Sequence, residues 1–210
     1  MDESDKRLIQ ERYKERLLKY GPGIQALASG TEERRATRFD ILTEVGIKQG
    51  SSVLDVGCGL ADFYSYLIAN GVNIQYTGID IVPELIDSAK IRHPNIDLQF
   101  RDLQEEPFPK SSFDYVVCSQ VFNLGLGLDK NETLVKDMLH NMYHTARYGV
   151  AVDFLTSYVD FRQDHLHYYE PGEIFSYAKQ LTRRVTLRHD YPLFEFCIYL
   201  YPSFEGWSGK

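Results

Sequence analysis

The sequence is poor in cysteine. Cys58, Cys118 and Cys197 are odd in number, far apart, and form no C-x-x-C pair. Neither a disulfide framework nor a paired-cysteine metal site is expected, and the three read as reduced thiols of a cytoplasmic protein. Long apolar runs are also lacking. No stretch approaches the roughly 20 residues that cross a bilayer, and the segment Met1-Asp2-Glu3-Ser4-Asp5 has no signal-peptide character. Positive charge is in deficit, with 23 Lys and Arg against 30 Asp and Glu, a formal net charge of -7. That balance argues against a sequence-independent grip on nucleic acid, which needs clustered cations to displace counterions. What is present is ordinary for a soluble globule. The 210 residues are 43% hydrophobic and 25% charged, enough for one α/β domain with a modest extension.

The chain is organised around Val53-Leu54-Asp55-Val56-Gly57-Cys58-Gly59-Leu60-Ala61-Asp62-Phe63. An apolar run with one acid enters a glycine turn, and a helical pattern leaves it. Gly57 and Gly59 have no Cβ to hold a ligand off the backbone, and the free N–H groups of the next helix face the same place. Asp62 stands where the dinucleotide pattern G-x-G-x-x-G has its third glycine, so a pyrophosphate is disfavoured. Asp55, at the strand end, suits a ligand with cationic character. The stretch resembles motif I of the class I S-adenosylmethionine-dependent methyltransferases, D/E-x-G-x-G-x-G. Asp55, Gly57 and Gly59 match, and Ala61 replaces the last glycine.

Downstream features fall in the order which that resemblance implies, over roughly Ser51 to Tyr201. Gln75 to Asp80 reads as a second strand, and Asp80 lies about 20 residues beyond the glycines, where an acid can accept both ribose hydroxyls; Ile81 follows it. Asn95 to Arg101 reads as a third strand. By the resemblance, Asp102 accepts from the adenine amino group and the backbone of Leu103 meets a ring nitrogen. Phe113 to Ser119 resembles the motif IV strand, which implies that Ser119 and Gln120 lie beside the departing methyl group. The D/N/S-P-P-Y/F/W tetrad of adenine-N6 methyltransferases is absent. Asp129 to Ala146 carries Leu134, Val135, Met138, Leu139, Met142 and Tyr143 at helical spacing, which is a core face. Tyr148 to Phe154 reads as a fifth strand. Pro171 opens a helix, and two strands, Arg183 to His189 and Phe194 to Tyr201, close the chain as an antiparallel pair.

The N-terminus reads as a helix over Ser4 to Tyr20 with an apolar stripe of Leu8, Tyr13, Leu17 and Leu18. A linker from Ile24 to Gly30 leads to a second helix, N-capped by Thr31, with Ala36, Phe39, Ile41, Leu42 and Val45 facing the core. Arg34 and Arg38 read as solvated side chains, with a carboxylate or phosphate partner as the alternative. Three segments follow: a helical extension or lid (1–46), a methyltransferase domain (47–202) and a tail (203–210). The loop from Leu155 to Glu170 is long and rich in aromatics, and sits at the cofactor end of the sheet. His165, His167 and Tyr168 are its candidates for acceptor-side chemistry. The same residues read structurally are surface histidines with tyrosines packed on the domain edge. No carboxylate cluster joins the two histidines, so no metal is expected.

The expected fold is a three-layer α/β/α sandwich whose seven-stranded, mostly parallel sheet has order 3-2-1-4-5-7-6, the last strand antiparallel. The expected cofactor is S-adenosyl-L-methionine, with methyl transfer by in-line displacement to an O or N atom of a small-molecule acceptor. The alternatives are a non-catalytic cofactor-binding partner, an NAD-dependent oxidoreductase or epimerase (no Tyr-x-x-x-Lys pair supports it), and an RNA or protein methyltransferase.

Overall fold

Strands buried on both faces read as continuous apolar runs, and the centre of this fold is built from four of them. In the computed structural model, which describes residues 1–204, β1 (Ser52–Val56), β2 (Gln75–Asp80), β4 (Phe113–Cys118) and β5 (Ala146–Leu155) form the middle of one sheet. β3 (Asp97–Phe100) lies at one edge, and β6 (Val185–Arg188) and β7 (Glu195–Leu200) lie at the other. The order is β3-β2-β1-β4-β5-β7-β6. Pairs among β1 to β5 are parallel, whereas β7 runs antiparallel to both β5 and β6. Inserting the last strand beside the fifth distinguishes this sheet from the dinucleotide-binding order.

Alternation along each strand divides the core in two. Leu54, Val56, Val116, Val150, Val152 and Ile198 face α6 (Leu128–Thr145) and α7 (Pro171–Leu181). Val53, Val117, Ala151 and Cys197 face the other way, against Phe39 and Leu42 of α3 (Glu32–Thr43) and Phe63 and Leu67 of α4 (Asp62–Ala69). On that same face α5 (Pro83–Arg92) packs Ile86 and Ala89 against Tyr76 and Leu98. Because β1 to β5 run in parallel, their carboxyl ends share one edge. The chain runs outward from β1 to β2 and β3 and then crosses back to place β4 on the other side of β1, which opens a crevice there.

The helical extension departs from its expected pattern in two respects. In α1 (Glu3–Tyr20), Leu8 and Leu18 are exposed, and the packed positions are Ile9, Tyr13 and Leu17. A spacing of four keeps these three on one face, whereas Leu8 and Leu18 fall off it. The expected linker contains a single helical turn, α2 (Ile24–Leu27), tied to α1 through Arg16, whose Nε donates to the Ala26 carbonyl at 3.0 Å. Thr31 caps α3 as expected, its Oγ1 accepting from the Arg34 amide. Strand and helix bounds otherwise move by one to three residues at their ends. Positions 205–210, the greater part of the expected tail, lie outside the described residues. No helix among the described residues is long and apolar enough to cross a membrane.

Candidate functional site

The glycine turn after β1 is tightly built. Gly57 has φ +74°, and a Cβ there would lie 2.2 Å from Val121 Cγ2. Gly59 has φ +55°, and a Cβ there would meet Leu27 Cδ2 at 3.0 Å. The turn is therefore pressed between the loop after β4 and the extension, with room for backbone only. Gly57→Ala should lower stability by about 1–3 kcal/mol, from left-handed strain plus overpacking. It should also weaken cofactor binding, because Val121 lines the same cavity. Thermal unfolding and calorimetry on one sample check both; an unchanged pair of values would contradict the crowding argument.

That cavity runs along the carboxyl ends of β1 to β4. Asp55, Gly57, Cys58, Gly59, Asp80, Ile81, Asp102, Leu103, Ser119 and Gln120 all line it. These are all ten of the positions that the sequence picks out for the cofactor. Asp80 accepts from the Gly59 amide through Oδ2 and from the Val82 amide through Oδ1, each at 2.9 Å. Each oxygen keeps a further lone pair, which suits a vicinal diol. Burial pushes the Asp80 carboxyl up to about 6. It pushes Asp55 up to about 7, although the Tyr76 hydroxyl donates to Asp55 at 2.7 Å and works in the opposite direction. Cys58 is buried, and its thiol pKa is raised for the same reason.

Asp102 and Asp62 have partners that the sequence reading does not foresee. Lys6 Nζ lies 2.7 Å from Asp102 Oδ2 and also pairs with Glu105, so α1 is strapped over the end of β3. The amino group of Met1 donates to Gln104, and Lys130 bridges Asp2 and Asp5. Asp62 is buried and paired with both Arg35 and Arg92, the latter at 2.6 Å. Its charge is thus neutralised, and repulsion of a pyrophosphate is a weaker argument than it looked. The antiparallel β7 is the stronger distinction.

A second cavity of about 390 Å³ adjoins the first. Tyr13, Leu27, Ser29, Arg38 and Gln120 line both. At this shared boundary Gln120 holds φ +62°, unusual for a side-chain-bearing residue. Asp153, at the carboxyl end of β5, fixes it by accepting from the Gln120 amide at 2.7 Å and from the Ser119 hydroxyl at 2.5 Å. Burial raises Asp153 to about 6. The Gln120 carboxamide in turn accepts from Asn123 Nδ2 at 2.8 Å. Arg38 is not solvated. It is buried, and forms a two-point ion pair with Glu195 at 2.7 and 2.9 Å.

Of the acceptor-side candidates, Tyr168 lines the second cavity, its hydroxyl accepting from the Gln163 amide. His165 is exposed and lines neither cavity. His167 also lines neither: its ring packs on Tyr169, with 4.5 Å between centroids, and burial lowers its pKa toward the neutral form. No group of three or more metal-ligating side chains occurs among the described residues.

Comparison with known proteins agrees with this geometry. Residues 53–149 match the family described as "Methyltransferase domain". The candidate methyltransferase Rv1506c of Mycobacterium tuberculosis is 35% identical over 156 residues, covering 70% of this chain and 90% of that protein. The chain belongs to the class I S-adenosylmethionine-dependent methyltransferases. A demethylmenaquinone methyltransferase of Staphylococcus aureus is 32% identical over 101 residues, 46% of this methyltransferase but only 39% of that enzyme. Among solved structures, the magnesium protoporphyrin IX methyltransferase of Synechocystis PCC 6803 with bound S-adenosylhomocysteine superposes with a TM-score of 0.66. It is 14% identical, covering 95% of this chain and 100% of that one, a likeness of fold alone. The cofactor of this methyltransferase is S-adenosyl-L-methionine, and a cavity of bare glycines and carboxylates with spare lone pairs fits it.

The raised carboxylates give binding a pH dependence. Asp80 and Asp55 must ionise to accept a diol or face a cation, and ionisation is complete only above their values of about 6 and 7. S-adenosylhomocysteine affinity should fall about a hundred-fold between about pH 8 and about pH 5.5, as read by calorimetry. The ligand-free protein should show the reverse sign in stability. Folded values above the ordinary carboxylate value of about 4 add stability that is full below that value and lost as pH rises through 6 to 7.

Proposed function

We propose that this methyltransferase transfers its methyl group to an O or N atom of a small molecule held in the second cavity. The carrying observation is Asn123. It lines the second cavity, and its Oδ1 is buried with no hydrogen-bond partner among the described residues. A turn of the carboxamide toward the cavity exposes that atom, and a hydroxyl or amine of the acceptor then supplies the donor it lacks. Donating to Asn123 orients the acceptor beside Gln120, at the boundary with the cofactor cavity.

When bound, the cofactor supplies a methyl group already activated on a positive sulfur, so the protein's task is alignment. Asp80 takes the ribose hydroxyls, and Asp102 and Leu103 the adenine edge, with the adenine amino group sharing Asp102 with Lys6. Gly57, Cys58 and Gly59 let the backbone approach, and Asp55 faces the cationic end. Ile81 walls the ribose side. Ser119 and Gln120, held by Asp153, fix the edge past which the methyl group travels. Tyr13, from α1, covers both cavities and keeps water out. On the acceptor side Tyr168 lines the cavity, and its hydroxyl is the candidate for hydrogen-bonding the acceptor. His165 and His167 remain candidates only through a movement of the loop that brings them to the cavity. Residues 1–46 act as the lid and 47–202 as the transfer domain.

A sequence relative supports a small acceptor, since its name specifies demethylmenaquinone. The test is release of S-adenosylhomocysteine from S-adenosylmethionine across panels of small hydroxyl and amine compounds. Turnover with a panel member, lowered by Asn123→Leu with cofactor affinity intact, is the expected result. Turnover only with an RNA or protein fraction would overturn the reading.

A further inference from the structure

The second cavity has a chemical character that narrows what it accepts. Its lining includes three arginines, Arg12, Arg34 and Arg38, against two carboxylates, Asp160 and Glu195. Arg38 consumes both oxygens of Glu195 in its two-point pair. Arg34 Nη2 stands 3.9 Å from one of those oxygens, too far for a hydrogen bond, and its side chain is 45% exposed. Arg12, half-buried on α1, has no carboxylate partner among the described residues. Two guanidiniums from separate helices thus reach one cavity in an acidic protein, with only Asp160 left to balance them.

Aromatic rings share the rest of the wall with aliphatic side chains such as Leu124, Leu155 and Leu166. Phe161 and Phe194 are 70% and 58% exposed, although apolar rings of that size are normally covered. Both line this cavity, with Tyr168 and Tyr13. Exposed rings around a concave site offer faces for a flat ligand to stack on. Guanidinium groups match carboxylate and phosphate oxygens in a planar, two-point geometry.

We propose that the second cavity selects a flat aromatic acceptor bearing an anionic group, with Arg12 and Arg34 taking the anion and Phe161, Tyr168 and Phe194 the ring. The proposal rests on the second cavity being the acceptor site. Its carboxylate and phosphate forms share one chemistry.

The experiment uses the full chain saturated with S-adenosylhomocysteine, so that the first cavity is filled. Three probes are titrated calorimetrically: 1-naphthoate, its neutral isostere 1-naphthamide, and 1-naphthyl phosphate. At least one of the anions should bind about ten-fold more tightly than the amide, and the tighter anion identifies the form the site takes. Arg12→Met and Arg34→Met should each reduce that preference, and the double variant should abolish it. S-adenosylhomocysteine affinity should be unchanged in every variant, which also shows that they fold. Equal binding of amide and anions overturns the proposal, as does a preference that survives the double variant. Failure of S-adenosylhomocysteine to bind the parent protein would instead overturn the assignment of the first cavity, so the two failures are distinguishable.

Discussion

Replacing Asp80 with alanine should weaken S-adenosylhomocysteine binding by about a hundred-fold, close to 3 kcal/mol. Two losses add. A ribose diol gives up two hydrogen bonds to a carboxylate, the stronger class of such bonds. The Gly59 and Val82 amides also lose the acceptor that holds the glycine turn in place. Asp80→Asn separates these losses. It keeps one oxygen for the backbone but removes the charge, so its affinity should lie between those of the wild type and the alanine variant. Calorimetry with NAD as a control gives the readout, and circular dichroism shows that the variants fold. An Asp80→Ala protein that binds within two-fold of the parent would remove Asp80 from the ribose site.

Glu195→Gln should be the most destabilising single change near the site, at about 3–5 kcal/mol. Arg38 and Glu195 are 2% and 1% exposed, and each is the other's charge partner. The glutamine cannot neutralise the guanidinium, which is left charged where water cannot reach it. For a chain of this length the loss corresponds to a fall in melting temperature of roughly 10 °C or more. Replacing both partners with apolar residues of similar volume, Arg38→Met with Glu195→Leu, should recover most of it, because no stranded guanidinium remains. A double variant as unstable as the single one would mean that the pair's hydrogen bonds, rather than the stranded charge, set the cost.

The contrast between Arg38 and Asp80 shows what the sequence made legible. Asp80 declares itself because its meaning is local: an acid at a strand end, a fixed distance after two glycines. The hairpin of β6 and β7 was legible from its short turn, whereas the full strand order followed from the resemblance to the methyltransferase family, because β1 pairs with β4 and β5 with β7 across long stretches of chain. Arg38 looked like a surface cation because its partner is 157 residues away and is brought to it only by β7 inserting beside β5. Asp153 could have been found. It is a lone acid in an otherwise apolar strand, as Asp55 is in β1, and both prove to be buried at the same edge of the sheet. Lys6 offered no such signal, being one cation among many on a polar helix. His165 and His167 drew notice by residue type, but side-chain direction in an irregular loop has no period from which to read it.

The position of α1 has a thermodynamic consequence. Met1, Ile9 and Tyr13 wall the cofactor cavity, while Arg12 and again Tyr13 wall its neighbour. One helix thus completes two binding surfaces, and it is fastened by ion pairs at Lys6 and Lys14 and by the narrow stripe of Ile9, Tyr13 and Leu17. Whatever free energy is spent in seating the helix is spent once, by whichever ligand arrives first. The second ligand then meets a finished wall. The two occupants should therefore be mutually reinforcing, each raising the other's affinity by the same factor, with no contact between them required.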